Sequence, residues 1–316
     1  MTYIWRDSLI EYKKENSFKE YRNCVFTNES LRNTEISKII KENINIDFSN
    51  SVFEDDIVFD NYKFYGDIIF DNTKFKKSVS FNNCIFNGDC IFVNVIFNEI
   101  SNNKEMFINS EVNGQHFVLK NIKNMPRLDG IKFSSCSKVI LENLSFDEEH
   151  YEEAKLIYRI GRNQANIIGD YERIGDYYYS ERYYGGKTIK RKKFKSTIDY
   201  LSSKFFDLLS KYTIGYGEKP FNIFIISFLI ISIFAFLYMI TGLQSLNNTS
   251  ISISENNFLK NYIDAWYFSM VTFTTVGYGD MIVETYTGKI LVSIEVFLGV
   301  TMAASWASVI IKKMSR

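Results

Sequence analysis

Proline is nearly missing. Pro126 and Pro220 are the only two in 316 residues, so domain boundaries must be read from changes of pattern and not from proline-rich linkers. Histidine is as scarce, with His116 and His150 alone. The four cysteines, Cys24, Cys84, Cys90 and Cys136, show no C-x-x-C spacing. This argues against a zinc centre and reads as reduced thiols filling a core. Net charge is absent too, 37 basic against 37 acidic residues, which removes any global bias toward nucleic acid. Residues 1–20 hold no apolar run of signal-peptide type, so the N-terminus is expected in the cytosol. Glycine-rich phosphate loops and catalytic constellations are missing, so no enzyme and no organic cofactor are expected.

Against that background phenylalanine recurs with strict timing. Phe48, Phe59, Phe70, Phe81 and Phe92 are eleven apart, and Phe53, Phe64, Phe75, Phe86 and Phe97 form a second such series. The merged spacing of five and six matches neither a helix nor a hairpin array, and a short fixed period means a solenoid. Two residues before each Phe stand Ile46, Ser51, Ile57, Tyr62, Ile68, Thr73, Val79, Cys84, Cys90 and Val95. In extended backbone both positions share one face, with Asn, Asp, Lys and Gly turning outside. This resembles the pentapeptide-repeat family, which implies a right-handed quadrilateral parallel β-helix over residues 24–146. A looser beat runs through Phe26, Leu31 and Ile36 before the strict region. It resumes as Phe107, Val112, Phe117, Ile122, Leu128, Phe133, Val139 and Leu144 after it. Tyr62 is large for its position. Two roles compete for the rod: a stiff cytosolic scaffold, or the DNA mimicry known for some family members. Residues 45–100 carry nine acidic and four basic residues, with Lys74, Lys76 and Lys77 interrupting the acidic surface, and this favours the scaffold.

After Phe146 the beat stops. Tyr151, Ala154, Tyr158, Gly161, Ala165 and Ile168 predict a helix, Gly169-Asp170 a stop and an N-cap, and Tyr171, Ile174, Tyr178 and Glu181 a second helix ending at Gly185-Gly186. The tyrosines Tyr177, Tyr178, Tyr179, Tyr183 and Tyr184 read as packing. Lys187, Lys190, Arg191, Lys192, Lys193 and Lys195 follow without an acid among them. Placed upstream of a membrane span, such a run is expected to meet anionic lipid at about 1 kcal/mol per basic residue. Residues 196–212 put Ile198, Leu201, Phe205, Leu208, Leu209 and Tyr212 on one face, as an interfacial helix does. Gly215, Gly217 and Pro220 end it.

Residues 221–241 carry no charge, and residues 288–311 form a second long apolar stretch. Each is long enough to cross a bilayer, which takes about 20 residues. Neither has regularly spaced arginines, so no voltage sensor is expected. Residues 242–287 hold one basic residue, Lys260, which places both termini in the cytosol and this connection outside, together with the Asn247 and Asn248 sequons. Within it, Asp264 to Thr274 predicts a helix too short to span. The chain must then return through Thr275–Gly279 at membrane depth, where non-helical backbone is tolerated only in protein or beside water. Gly277 and Gly279 free the backbone to aim carbonyls at one axis, Thr275 adds a hydroxyl, and Val276 and Tyr278 are expected to turn away against the pore helix.

The run from Tyr267 to Asp280, Y-F-S-M-V-T-F-T-T-V-G-Y-G-D, resembles the pore signature of prokaryotic two-transmembrane potassium channels. The resemblance covers about residues 215–313. It implies that Thr275, Val276, Gly277, Tyr278 and Gly279 bind K⁺ along a fourfold ring, hence a homotetramer. It further implies that Asp280, with Tyr267 and Thr274, supports the filter from the pore helix, and that Gly299 is the hinge of the inner helix. Two departures stand out: Tyr267-Phe268 stands where many members carry paired tryptophans, so Phe268 cannot donate to Tyr278, and Met281-Ile282-Val283-Glu284 lacks a proline. Glu295 lies inside the second span, where a carboxylate costs roughly 2.5–3.5 kcal/mol unless paired or wet. It is expected to pack behind the filter and bond Ser269 or Thr272. Thr301, Ser305 and Ser308 are candidates for the inner cavity.

The expected organisation is an N-terminal tail (1–23), the β-helix (24–146), a helical hairpin linker (147–186), a basic juxtamembrane segment with an interfacial helix (187–219), and an all-α two-transmembrane pore domain with a re-entrant loop (220–316). The expected function is passive, K⁺-selective conduction by a multi-pass protein of the cell membrane. Gating is expected to be modulated by the N-terminal module through an unknown cytosolic ligand or protein. Alternatives are a weakly selective cation channel and a membrane-tethered scaffold with a silent pore.

Overall fold

A computed structural model describes residues 18–27, 44–98, 106–123, 125, 127, 128, 130–245, 250–253 and 257–315. The beat positions Leu31 and Ile36, Pro126 and the two sequons lie outside them. The chain divides into two compact units, residues 1–200 and 201–316.

The first unit is a parallel β-solenoid closed by a helical hairpin. Strands Phe18–Glu20, Asn45–Asp47, Ile68–Asp71, Cys90–Val93, His116–Lys120 and Lys138–Glu142 form one six-stranded parallel ladder. Three shorter parallel ladders, of four, three and two strands, make the other faces. Ile68 pairs with Cys90, and Asp67 accepts from the amide of Asp89 at a separation of 22 residues, so one coil is four faces of five or six residues. The two eleven-residue series therefore resolve into four columns. Phe48, Phe70 and Phe92 stack at 5.3 and 5.0 Å, Phe53, Phe75 and Phe97 at 4.8 and 5.5 Å, Phe59, Phe81 and Phe107 at 4.9 and 5.5 Å, and Phe64 and Phe86 at 4.9 Å. These spacings follow the distance between paired strands, about 4.8 Å. Each fully buried ring contributes roughly 1.5–3 kcal/mol relative to exposure.

Asn50, Asn61, Asn72, Asn83 and Asn94, each two residues after a Phe of the first series, all have φ between 50° and 64°. Asparagine tolerates this left-handed corner better than other side chains. At the small positions Thr73 donates to the Phe48 carbonyl of the preceding coil at 2.9 Å, and Tyr62 sits half-buried, tilted against Phe64. Cys84 and Cys90 are buried; burial pushes the Cys84 thiol up to about 12 and that of Cys90 well above its ordinary value. On the opposite face of the long ladder Ile69, Ile91, Val118 and Ile140 form a second buried cluster.

Two features depart from the expected beat. The ladder begins at Phe18, ahead of residue 24, because Tyr21 occupies a column position and stacks on Phe48 at 5.8 Å. Between Phe97 and Phe107 the spacing lengthens, so Phe64 pairs with Phe86 but Phe86 pairs with Val112.

Helices α1 (Tyr151–Ile168) and α2 (Tyr171–Lys187) form the hairpin. Gly169 supplies the left-handed turn (φ 73°) and the Asp170 side chain caps α2. The hairpin covers the last coil. Tyr177 donates to the Val139 carbonyl at 3.0 Å and accepts from the Leu141 amide at 2.9 Å, and Gln164 donates to the carbonyls of Ser134 and Ser137. An open ladder end is thereby satisfied, which edge strands otherwise leave exposed. Contrary to expectation, Gly185 and Gly186 lie inside α2, which runs on to Lys187. Lys187 reaches Tyr151 and Tyr183, each ring centroid 4.6 Å away, and this contact holds the last turn.

Helix α3 (Thr197–Thr213) buries no residue, and its Ile198, Leu201, Phe205, Phe206 and Tyr212 are exposed. In the second unit, a turn with positive φ at Gly215, Tyr216 and Gly217 precedes α4 (Pro220–Thr241), which has proline in its first turn. Helices α5 (Phe258–Phe273) and α6 (Tyr286–Met314) follow. Both α4 and α6 are long and apolar enough to cross a membrane. A small antiparallel sheet pairs Leu243–Ser245 with Ser250–Ile251 and with Met281–Ile282.

Candidate functional site

The site grows from the C-terminal end of α5. That helix starts at Phe258, six residues ahead of the expected Asp264, because Phe258, Leu259, Tyr262 and Ile263 extend the apolar pattern toward the N-terminus. Its 16 residues rise about 24 Å, short of the roughly 30 Å hydrocarbon layer. The chain leaves it in a tight turn: the amides of Thr275 and Val276 donate to the carbonyls of Thr272 and Val271, each at 3.0 Å.

Then the backbone alternates in hand. Thr275, Gly277 and Gly279 have φ of 59°, 56° and 74°, while Val276 and Tyr278 between them do not share this region. Such alternation breaks the regular side-to-side order of peptide planes that a β-strand has. Glycine adopts these angles without penalty. Thr275 is β-branched, and a positive φ at such a residue is an outlier of the kind found at functional sites. A Cβ at Gly277 or Gly279 meets nothing within 4 Å in one chain, so backbone angle, and not space, calls for glycine there.

Val276 and Tyr278 are 53% and 71% exposed within one chain. Both side chains are thus largely uncovered within one chain. Thr274 is exposed and its hydroxyl donates to the Met270 carbonyl at 2.8 Å. The Tyr267 hydroxyl, on α5, engages the Asp280 carboxylate directly after the loop. Phe268 packs edge-on against Tyr238 at 4.9 Å.

Behind α5 lies a polar cluster with no exposure. Glu295 on α6 and Ser269 on α5 are both 0% exposed and share a hydrogen bond, and Tyr238 on α4 donates to the other Glu295 oxygen at 2.7 Å. Thr272 is buried but is not among the carboxyl's partners. Tyr238 was not anticipated; its only signal was a lone tyrosine hydroxyl in a charge-free span, a group that seeks a partner when buried. Gly299, one turn beyond Glu295, is buried inside a continuous helix, its Cα against the Phe273 carbonyl at the end of α5. Thr301 and Ser305 bond carbonyls of their own helix, and Ser308 is exposed. Between α4, α5 and α6, Phe228, Met270, Thr275, Gly299 and Trp306 line an apolar groove of about 650 Å³. At the other end of α6, Lys312 pairs with buried Glu218 at 2.6 Å.

Within the basic run, Arg191 donates to the Phe194 carbonyl and the Thr197 hydroxyl at 2.7 and 2.8 Å, and Lys193 pairs with Glu152. These two cations are therefore engaged within the first unit. Lys190, Lys192 and Lys195 are exposed. Among the described residues no cluster of three or more His, Cys, Asp or Glu is placed to hold a metal ion.

A repeat solenoid joined to a helical unit, with two helices of membrane-spanning length and a shorter helix between them, suits a membrane protein. Residues 224–316 match the family model described as "Ion channel", and residues 59–101 match that described as "Pentapeptide repeats (9 copies)". The chain thus joins pentapeptide repeats to an ion-channel domain. It is 34% identical over 82 residues to two pore potassium channel a of Oryza sativa subsp. japonica, covering 26% of this chain and 23% of that one. It is 56% identical over 39 residues to two-pore potassium channel 4 of Arabidopsis thaliana, covering 12% and 14%. The chain therefore spans less than a quarter of the length of these relatives. No solved structure matches the chain.

Proposed function

We propose that the chain is one subunit of a homotetrameric, K⁺-selective channel of the cell membrane. K⁺ is the transported ion, held by the carbonyls of Thr275, Val276, Gly277, Tyr278 and Gly279. The observation that carries this reading is the alternation of backbone hand through Thr275–Gly279, at the foot of a helix too short to span. Four such loops around one axis replace the hydration shell of a dehydrated alkali ion. The exposed Val276 and Tyr278 and the open apolar groove beside Gly299 support the seating of neighbouring copies. The ion-channel domain and the resemblance to potassium channels point the same way. The scarcity of Lys and Arg between the spans supports cytosolic termini, and Lys190, Lys192 and Lys195 are the residues offered to anionic lipid. The solenoid, anchored upstream of the first span, modulates opening.

The test is rubidium flux into proteoliposomes holding the full chain. Uptake blocked by Ba²⁺, with a reversal potential that follows K⁺ over Na⁺, is the expected result. No flux in any condition, or assembly other than as four copies, overturns it. A specific observation favours weak selectivity as the second reading: Phe268 has no side-chain N–H to donate to Tyr278 and packs edge-on against Tyr238. Equal permeability to K⁺ and Na⁺ would decide for it. Removal of residues 1–195 with unchanged open probability removes the claim of modulation.

A further inference from the structure

We propose that Glu295 is a neutral carboxylic acid whose own proton is donated to Ser269, and that with Tyr238 it closes a one-way hydrogen-bond chain that positions the pore helix. The argument is a count of hydrogens. Four oxygen-bearing groups lie in sequence: the Tyr238 hydroxyl, the Glu295 carboxyl, the Ser269 hydroxyl and the Ile231 carbonyl. Tyr238 meets Oε2 of Glu295 at 2.7 Å, Ser269 meets Oε1, and the same Ser269 oxygen lies 2.9 Å from the Ile231 carbonyl oxygen. A carbonyl brings no hydrogen, and each hydroxyl brings one. Three links therefore need three hydrogens, and the hydroxyls supply two. With a carboxylate, either the Ser269–Glu295 or the Ser269–Ile231 link becomes two lone pairs facing each other. Tyr238, Ser269 and Glu295 are each 0% exposed, so bulk water is not at hand to supply the missing donor. The third hydrogen belongs to Glu295.

The surroundings agree. The groups that act on the carboxyl are the hydroxyls of Ser269 and Tyr238, and no charged side chain is among them. A buried carboxylate without a cation is strongly disfavoured, whereas a carboxylic acid that accepts from Tyr238 and donates to Ser269 leaves no member of the chain unsatisfied.

The geometry gives the chain its purpose. Ile231 and Tyr238 lie two turns apart on α4, on one face. Between them Ser269 is gripped from both sides, by α4 through Ile231 and by α6 through Glu295. Ser269 stands on α5, a turn and a half before Thr275. The chain therefore holds the depth and rotation of the helix that delivers the filter backbone. Glu295 and Tyr238 are positioning residues, since neither touches the loop Thr275–Gly279. The positional part rests on the channel reading above, but the protonation of Glu295 does not.

Infrared spectroscopy of the full chain in bilayers at neutral pH tests the proton directly. The wild type minus Glu295→Gln difference should show a protonated carboxyl C=O band that shifts in D₂O. A difference that contains only carboxylate bands overturns the proposal. Rubidium flux tests positioning. Glutamine offers an N–H to Ser269 and a carbonyl to Tyr238, and leucine offers neither. Glu295→Leu should lose tenfold or more in flux, and Glu295→Gln should recover most of it. Tyr238→Phe, which removes one link while keeping the ring, should fall between them. Equal flux from the Leu and Gln variants overturns the positioning role, and if the Leu variant does not assemble, wild-type flux from Tyr238→Phe does so in its place. A wild type that is silent sinks the channel reading, while the infrared result still decides the proton.

Discussion

Replacing Gly299 by alanine separates two roles for that glycine. As a hinge, it would matter for bending, and alanine would only stiffen α6, a gain of about 1 kcal/mol in helix propensity. As a point of close approach, it matters in every state. A Cβ at Gly299 would fall inside the van der Waals shell of the Phe273 carbonyl, and it would sit 3.2 Å from the Phe273 Cα. These are backbone atoms, so no rotamer change relieves the overlap. Either α6 must move away or the end of α5 must shift, two residues ahead of Thr275. Overpacking of this kind costs about 1–3 kcal/mol, and a clash against fixed backbone belongs in the upper half of that range. Net of the propensity gain, Gly299→Ala should be destabilising by about 1–2 kcal/mol, or about 5- to 30-fold in the population of the native packing. The assay pairs a thermal melt of the full chain in detergent with rubidium flux, and the exposed neighbour Val300→Ala serves as control. A lower melting temperature with reduced flux is expected for Gly299→Ala alone. An alanine variant that melts at or above the wild-type temperature with normal flux refutes the close-approach argument.

Phe81→Ala removes a fully buried ring stacked between Phe59 and Phe107; it should cost about 3–5 kcal/mol, seen in a circular-dichroism melt of the full chain, and a loss under about 1 kcal/mol would show that the columns do not carry the solenoid. Burial alone would raise the pKa of Asp170, but bonds from Arg173 and Lys138 outweigh it and hold the carboxyl below the usual range. Its stabilisation of the hairpin is therefore present above about pH 4 and is lost as pH falls through the depressed value. Asp170→Asn keeps the cap, since Asn caps as well as Asp, but loses the charge pairing with Arg173 and Lys138; it should flatten that acid limb while costing up to about 1 kcal/mol at neutral pH, and an unchanged acid limb would count against it. Lys312→Glu sets two carboxylates together at buried Glu218 and should lower both the melting temperature and flux, and the exchange Lys312→Glu with Glu218→Lys should restore them. A double variant no better than the single one would mean that the pair does not tie α6 to the turn before α4.

Much of the fold was legible because its determinants are local and periodic. The eleven-residue beat of phenylalanine can be read without knowing what it touches, and so can two apolar runs of spanning length. The corner asparagines were legible in principle too, since they recur on the same beat. Partners brought together from distant segments were not. Tyr21 belongs to neither eleven-residue series, and its stacking on Phe48 appears only in the folded coil. Tyr177 looked like one of five packing tyrosines, and only the folded hairpin puts its hydroxyl on the last ladder strand. In the second unit, sequence picked out Glu295 as a group needing partners and Ser269 as a candidate, but Tyr238 lies 57 residues away on another helix. The small sheet that ties Met281–Ile282 to Leu243–Ser245 is too short to leave a pattern.

The amino-acid sequence by itself determined the period of the solenoid, the number and length of the span-length helices, and the identity of the residues in the loop Thr275–Gly279, because each depends on spacing or composition along one stretch of chain. Tertiary structure alone decided the hand of the backbone at Thr275, the close approach of Gly299 to Phe273, and the route of the hydrogens among Tyr238, Glu295, Ser269 and Ile231. Those depend on atoms far apart in sequence that become neighbours only when helices pack, and directional bonds between such atoms have no signature in the order of residues.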